Sequence, residues 1–405
     1  MTARGTLLAS LRAVPLVDSM VASWQQMTWF RAAMLAALAA LVASSCGGDA
    51  ARLSVAGSTP TEMVLDTIAS GLSVPWAMAF APDGRVFVTE RPGRIRVIDR
   101  GGLAADPWAV LRVDAGGEAG LMGIALAPDF ATSRAVYVVG TFASSGGLVN
   151  RVIRLADENG RGVGPTTIVD HIPASSLHSG DAIAFGPDGM LYIATGDARE
   201  PSRSADRSSL AGKILRYTAA GRVPSDNPIP GSPVYALGFR NPQGLAWSKG
   251  GQLFATDHGP SGFPNEDFRH DTDEINAVVR GGDHGWPAVV GFPQLSRTVP
   301  PLAVWTPAIA PSGLALPGAA SPESWRRSLF IGGLRGEQLR RVDLDSTAAG
   351  WNIRAQTPLF EHVFGRIRAV AVGPDGNIYF TTSNRDGRGL PHPGDDHVLR
   401  LSPKH

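Results

Sequence analysis

The chain has 405 residues, a formal net charge of +1 and one cysteine. A single thiol excludes an intrachain disulfide, and a near-neutral charge without any Lys/Arg run leaves no electrostatic footprint for nucleic acid. With 43% hydrophobic and 18% charged residues the composition is that of a folded chain, and 48 Gly with 31 Pro punctuate it with turns rather than long helices, which leans towards an all-β fold.

In chain order the first predicted element is a targeting segment. In "MTWFRAAMLAALAALVASSC", Arg31 precedes an apolar stretch of about a dozen residues and small residues lead into Cys46, the layout of a secretory signal too short to span a bilayer. Residues 1–26 read as an upstream extension and 27–45 as a lipoprotein-type signal peptide. Cys46, after the lipobox-like "ASSC", reads as the lipid attachment point, and 46–60 as a flexible tether. The expectation is an exported protein at the periplasmic face, held to the membrane only by a lipid anchor.

From residue 61 onwards one phrase recurs: "FAPDGRVFVTE" at 80–90, "LAPDFATSRAVYVVG" at 126–140, "FGPDGMLYIATGD" at 185–197 and "VGPDGNIYFTTSN" at 372–384. Weaker copies are "WSKGGQLFATDHG" at 247–259 and "SPESWRRSLFIGGL" at 321–334. In each strong copy an apolar strand meets a Pro-Asp turn and a strand rich in Val, Ile, Tyr and Phe follows, so the unit is a β-hairpin. Further short apolar segments flank each hairpin, which makes a unit of four strands. Such sheets cannot bury their faces alone but can when packed radially, so residues 61–405 are predicted to form a six-bladed β-propeller with four-stranded antiparallel blades. "TEMVLDTIASG" and "DDHVLRLS" are the pair expected to close the ring within one blade.

Candidate functional residues fall at the strand ends. His178 stands just before "AIAF" and Asp197 just after "LYIATG", at the two ends of one hairpin, so they can approach within hydrogen-bonding distance. A carboxylate on one imidazole nitrogen fixes the tautomer and raises the basicity of the other, the arrangement of a general-base dyad. The alternative is a loop histidine capping a backbone group. Arg240 and Asn241 end a strand pattern at Pro242 and should project into a loop. Gly259 and Pro260 in "TDHGP", with "DEIN" and "GGDHGWP" beyond, offer carbonyls near carboxylates, the hard oxygen ligands calcium accepts. Arg366 and Arg368 share one strand face, which is costly unless an anion or water meets them, and Arg335 begins another turn. Three guanidiniums at one mouth would suit a ligand with several carboxylates; a solvated rim is the other reading.

Taken as an ordered set, "VPWAMAFAPDGRVFVTERPGRI", "GEAGLMGIALAPDF", "HSGDAIAFGPDGMLYIATGD", "VYALGFRNPQGLAW", "DHGPSG", "DEIN", "GGDHGWP", "GRIRAVAVGPDG" and "TSNRDGRG" resemble the soluble quinoprotein glucose/sorbosone dehydrogenase family, and most closely its aldose sugar dehydrogenase branch. The resemblance implies pyrroloquinoline quinone (PQQ) over the propeller mouth with calcium bridging it to protein. It implies oxidation of an aldose at C1 to the lactone, with electrons passed to an external acceptor. It further implies His178 as base, Asp197 as its orienting acid, and Arg240 with Asn241 on the quinone oxygens. Gly259 and Pro260 would bind calcium through their carbonyls, and Arg335, Arg366 and Arg368 would hold the cofactor carboxylates. Glu118 stands where some members carry Gln against the cofactor, and Arg335 where some carry Lys. The loop 261–272, with Glu266, Asp267 and Asp271, is expected to cover the mouth or bind a second ion. A metal-dependent lactonase and a non-catalytic sugar- or protein-binding propeller are the competing readings.

Overall fold

The computed structural model describes residues 63–100, 102–261, 271–293, 295–348 and 350–404. The signal, the lipid-attachment cysteine, the tether and the central part of the 261–272 loop, including Glu266 and Asp267, lie outside the described residues.

The predicted propeller is present as six antiparallel sheets in sequence order, each running outwards from its first strand. The innermost strands are Pro75–Phe80, Leu121–Leu126, Gly180–Phe185, Pro242–Trp247, Pro311–Ala315 and Ile367–Val372. Each packs against the next and the last against the first, around a central channel with a cavity of about 560 Å³. The ring closes as expected: Met63–Ala69 pairs with Val398–Pro403 as the outermost strand of the sixth blade. Apolar residues alternate to both faces of each blade and bury between neighbours, giving one cluster per blade interface. Phe87 and Ile95 meet Val136 and Val138 between the first and second blades, and Phe330 and Leu339 meet Phe380 and Leu401 between the fifth and sixth. Two repeats depart from the hairpin pattern: the second turns through the short helix Phe130–Ser133, whose Phe130 plugs the core, and the fifth through a 3-10 turn at Glu323–Trp325.

All six innermost strands carry a register shift within their first four residues. A bulge bends a strand and re-aims the side chain beside it, so six bulges at one end of the ring aim residues such as Trp76, Gln243 and Arg368 at the channel mouth. Hydroxyls close the backbone gaps that the bulges open. Thr381 Oγ1 accepts from Ala369 N and donates to the Pro75 carbonyl of the next blade, Thr256 Oγ1 donates to Ser312 O, and Ser312 Oγ donates to Arg368 O. The mouth is therefore a stitched, rigid rim.

Candidate active site

The hairpin of the third blade brings its two predicted residues together: His178 Nδ1 lies 3.0 Å from Asp197 Oδ1. His178 takes a left-handed backbone with φ 55°, and its carbonyl approaches Gly196 so closely that any Cβ there would collide with it. Glycine is the residue that permits this contact. Asp197 is buried, and its carboxylate accepts further bonds from Arg199 N at 2.7 Å and Trp286 Nε1 at 2.9 Å. With every bond to Asp197 donated to it, the carboxylate stays an acceptor and His178 presents Nδ1–H, leaving Nε2 as the basic nitrogen.

Arg240 and Asn241 are buried on the connection into the fourth blade. Asp257 holds both backbones, accepting from Arg240 N at 3.0 Å and Asn241 N at 2.7 Å, and Asn241 Oδ1 accepts from Gly180 N at 3.0 Å. Arg240 O accepts from Asp197 N, so this turn and the dyad share one backbone contact. Trp286 arrives from an unexpected direction. Its segment belongs to the fourth blade but climbs beside the outer strand of the third, with Leu237 and Asp283 bridged in parallel, and sets the indole 5.6 Å from the Arg240 guanidinium.

Arg366 and Arg368 converge as expected, on a carboxylate that sequence reasoning missed. Arg366 Nε donates to Asp386 Oδ2 at 2.8 Å, and an Arg368 nitrogen lies 3.6 Å from the same oxygen. Arg368 lies over the Trp76 ring, 3.6 Å from its centroid, and reaches Gln243 Oε1 at 3.4 Å. Two buried guanidiniums thus meet at one buried carboxylate. Arg335 stands apart from this pair. It is half-exposed on the rim, where it binds the Asp271 carboxylate and the Ser261 carbonyl, at the base of the 261–272 loop.

Glu118 is buried and bonded three ways: Oε2 accepts from His178 N at 3.0 Å and Asn241 Nδ2 at 3.2 Å, and Oε1 from Arg388 at 2.9 Å. Burial pushes its carboxyl up, but the Arg388 charge and the neighbouring histidines outweigh that and bring it down to about 2. Gly259 and Pro260 are buried beside the mouth; Gly259 N donates to Asp273 Oδ1 at 3.0 Å, and Pro260 O accepts from Thr272 N at 3.1 Å while keeping a second lone pair. Burial pushes Asp273 up to about 7 and Asp257 well above the usual carboxylate range.

Among the described residues, two buried side-chain nitrogens at this mouth have no hydrogen-bond partner, His258 Nε2 and Arg91 Nε. His258 faces Glu118, Arg240, Arg368 and His178, and burial holds it down to about 3, so it is neutral at pH 7. Unpartnered polar nitrogens, clustered guanidiniums and flanking Trp76 and Trp286 fit a planar polycarboxylate, and carbonyls at 259–260 fit a hard cation. The donor set therefore suits both PQQ and calcium. Asp386 and Arg388 were findable in principle: "TSNRDGRG" follows the second strand of its repeat, as "TGDAR" with Asp197 does. Trp286 carried no such positional signal.

A histidine paired with a buried carboxylate and a cationic, aromatic-walled mouth on a six-bladed ring are features of a propeller enzyme that works on a polar ligand at one end of its channel. The chain belongs to the glucose/sorbosone dehydrogenase family, whose model matches residues 72–391. It is 30% identical to the aldose sugar dehydrogenase YliI of Escherichia coli over 375 residues, covering 86% of this chain and 95% of the relative. Among solved structures, an oxidoreductase described as a glucose dehydrogenase from Thermus thermophilus is 45% identical and superimposes with a TM-score of 0.76, covering 84% of this chain and 99% of that one. The PQQ-bound form of aldose sugar dehydrogenase from Streptomyces coelicolor is 37% identical, with a TM-score of 0.75 over 85% of this chain and 99% of that one.

Proposed function

We propose that this protein oxidises aldose sugars at C1 to the lactone, using PQQ and calcium, and hands the electrons to an external acceptor. The observation that carries the reading is the His178–Asp197 dyad, 3.0 Å across, at the same mouth as buried Arg240, Arg366 and Arg368. When bound, the quinone supplies the acceptor for the hydride of C1. His178 Nε2 takes the proton of the C1 hydroxyl, and Asp197 stabilises the imidazolium that results. Trp286 and Arg199 N hold Asp197 in place for that role. Arg240 and Asn241 would hold the quinone end of the cofactor, where the guanidinium would stabilise negative charge. Arg366 and Arg368 would hold the cofactor carboxylates, with Arg335 at the rim, and the Gly259 and Pro260 carbonyls would hold calcium.

A metal-dependent lactonase would need free carboxylates round its ion, whereas Asp257 and Asp273 already engage both oxygens with backbone N–H groups. Glu118, an acidic side chain that a cofactor-free propeller would leave uncompensated, is matched by Arg388. Metal-stripped protein given PQQ and calcium should reduce a dye with one or more aldoses and release the lactone. No turnover and no lactone across an aldose panel would refute the reading.

The same proposal places the enzyme at the periplasmic face, anchored through Cys46 after removal of 27–45; the apolar run ending in "ASSC" supports it. Cys46→Ser should move the protein out of the membrane fraction, and unchanged partition would count against the anchor.

A further inference from the structure

We propose that Arg388 is a positioning residue and that it forms one neutral unit with Glu118: the carboxylate fixes the base-bearing backbone and the Asn241 amide, and the guanidinium lets that carboxylate sit beside a polycarboxylate cofactor. The inference rests on the PQQ reading and deepens it for this chain.

The geometry is specific. Glu118 lies on the connection between the first and second blades, where its own N–H donates to Ser176 O at 2.8 Å. Its side chain then accepts from His178 N, two residues further on, and from Asn241 Nδ2 in the turn that carries Arg240. One carboxylate thus ties the base of the third blade to the quinone-facing turn of the fourth. A neutral amide at position 118 could accept through only one oxygen; the carboxylate accepts through both, including Arg388 270 residues away in the sixth blade. Arg388 is itself placed by Asp386, whose Oδ1 accepts from Arg388 N at 2.9 Å while Oδ2 holds Arg366. The cofactor-facing arginines and the Glu118 counterion therefore share one anchor.

The groups facing Glu118 are Arg91 from the first blade, His178 from the third, His258 from the fourth and Arg388 from the sixth. His258 Nε2 has no hydrogen-bond partner among the described residues. Arg91 bonds to the carbonyls of Gly117 and Asp386 rather than to the carboxylate. Arg388 is therefore the cation in contact, and without it a buried negative charge faces the site of an anionic ligand. The Arg388 side chain is 54% exposed while Glu118 is buried, so losing the guanidinium strands a buried carboxylate, whereas changing both to amides strands no charge.

The test is a double-mutant cycle with Arg388→Gln, Glu118→Gln and the double variant, in which both side chains are neutral amides. In calcium-saturated protein at pH 8, Arg388→Gln should weaken PQQ binding by roughly 10- to 100-fold, and by less than about threefold when made in the Glu118→Gln background. Lowering the pH to about 5.5 should shrink the first loss, because burial raises the carboxyl of an unpaired Glu118 and protonation removes the repulsion. Equal losses in both backgrounds would mean that Arg388 touches the cofactor itself, and no loss in either would mean that the pair is idle; both overturn the proposal. A cofactor-free arm separates its failure from that of the functional reading. Thermal unfolding of the unloaded protein should show Arg388→Gln less stable than the double variant at pH 8, with the gap closing towards pH 5. A gap independent of pH would overturn the proposal whether or not PQQ binds.

Discussion

The two ends of the propeller are built by opposite means. At the far end three of the six turns repeat one local pattern: Asp83, Asp188 and Asp375 accept from the backbone N–H two residues on, at 3.2, 3.1 and 3.1 Å. In the third and sixth blades the same aspartate also takes a tyrosine hydroxyl, Tyr192 at 2.9 Å and Tyr379 at 3.0 Å. At the mouth the bulges repeat, but the side chains set on them differ, and their bonds span long stretches of chain: Asp197 to Trp286 over 89 residues, Glu118 to Asn241 over 123 and Arg368 to Gln243 over 125. Repetition makes the ring, and departures from repetition at one end make the site.

The sharpest way to break that contrast is at the base. His178→Ala should lower turnover by about 10³-fold or more while PQQ affinity stays within a few-fold, checked by steady-state dye reduction and cofactor titration; general-base removal alone accounts for about 10²- to 10⁴-fold. Retained activity would show that the base is another group.

Buried carboxylates of the fourth blade should make stability depend on pH. Burial pushes Glu274 up to about 7 from a reference of 4.5, so the folded state binds more protons than the unfolded state between those values. Stability should therefore be fully present below about pH 4.5 and fall as pH rises through 7, by on the order of 3 kcal/mol for this group. Urea unfolding of chelator-treated protein at pH 5 and pH 8 measures the fall, and Glu274→Gln should flatten it.

A smaller effect is expected at Trp286. Losing its hydrogen bond to Asp197 in Trp286→Phe should cut kcat by about tenfold and shift the acid limb of the pH–rate profile, since the orienting carboxylate loses one of its donors. An unshifted profile would make Trp286 a wall and nothing more. The smallest effect belongs to the far end. Gly189 has φ 73° with open space where a methyl group would stand, so Gly189→Ala should cost about 1 kcal/mol of stability by backbone strain alone, with kcat/KM unchanged.

The same contrast explains what could be read from the sequence. Pro-Asp-Gly turns and alternating strands are local, so blade number, closure by the first and last strands and the His178–Asp197 approach were all legible. The dyad was visible because a hairpin makes its two ends neighbours. Convergence of Arg366 and Arg368 followed from strand spacing, but their shared Asp386 did not, because it sits in a loop whose path strand periodicity does not define. Arg335 sits with Asp271 instead of joining that pair, a rim partner 64 residues away that spacing cannot reveal. Trp286 was out of reach because its segment leaves its own blade and climbs the neighbouring one.

The central claim is that arginines from the sixth blade and the dyad of the third serve one bound quinone. Titrating PQQ into calcium-loaded protein while following tryptophan fluorescence tests it most directly, since Trp76 lies under Arg368 and Trp286 beside Arg240. The account predicts quenching that saturates at about one equivalent, requires calcium, and is weakened by about 100-fold or more when Arg366 and Arg368 are both changed to Gln. Binding of equal strength in that double variant, or quenching indifferent to calcium, would contradict it.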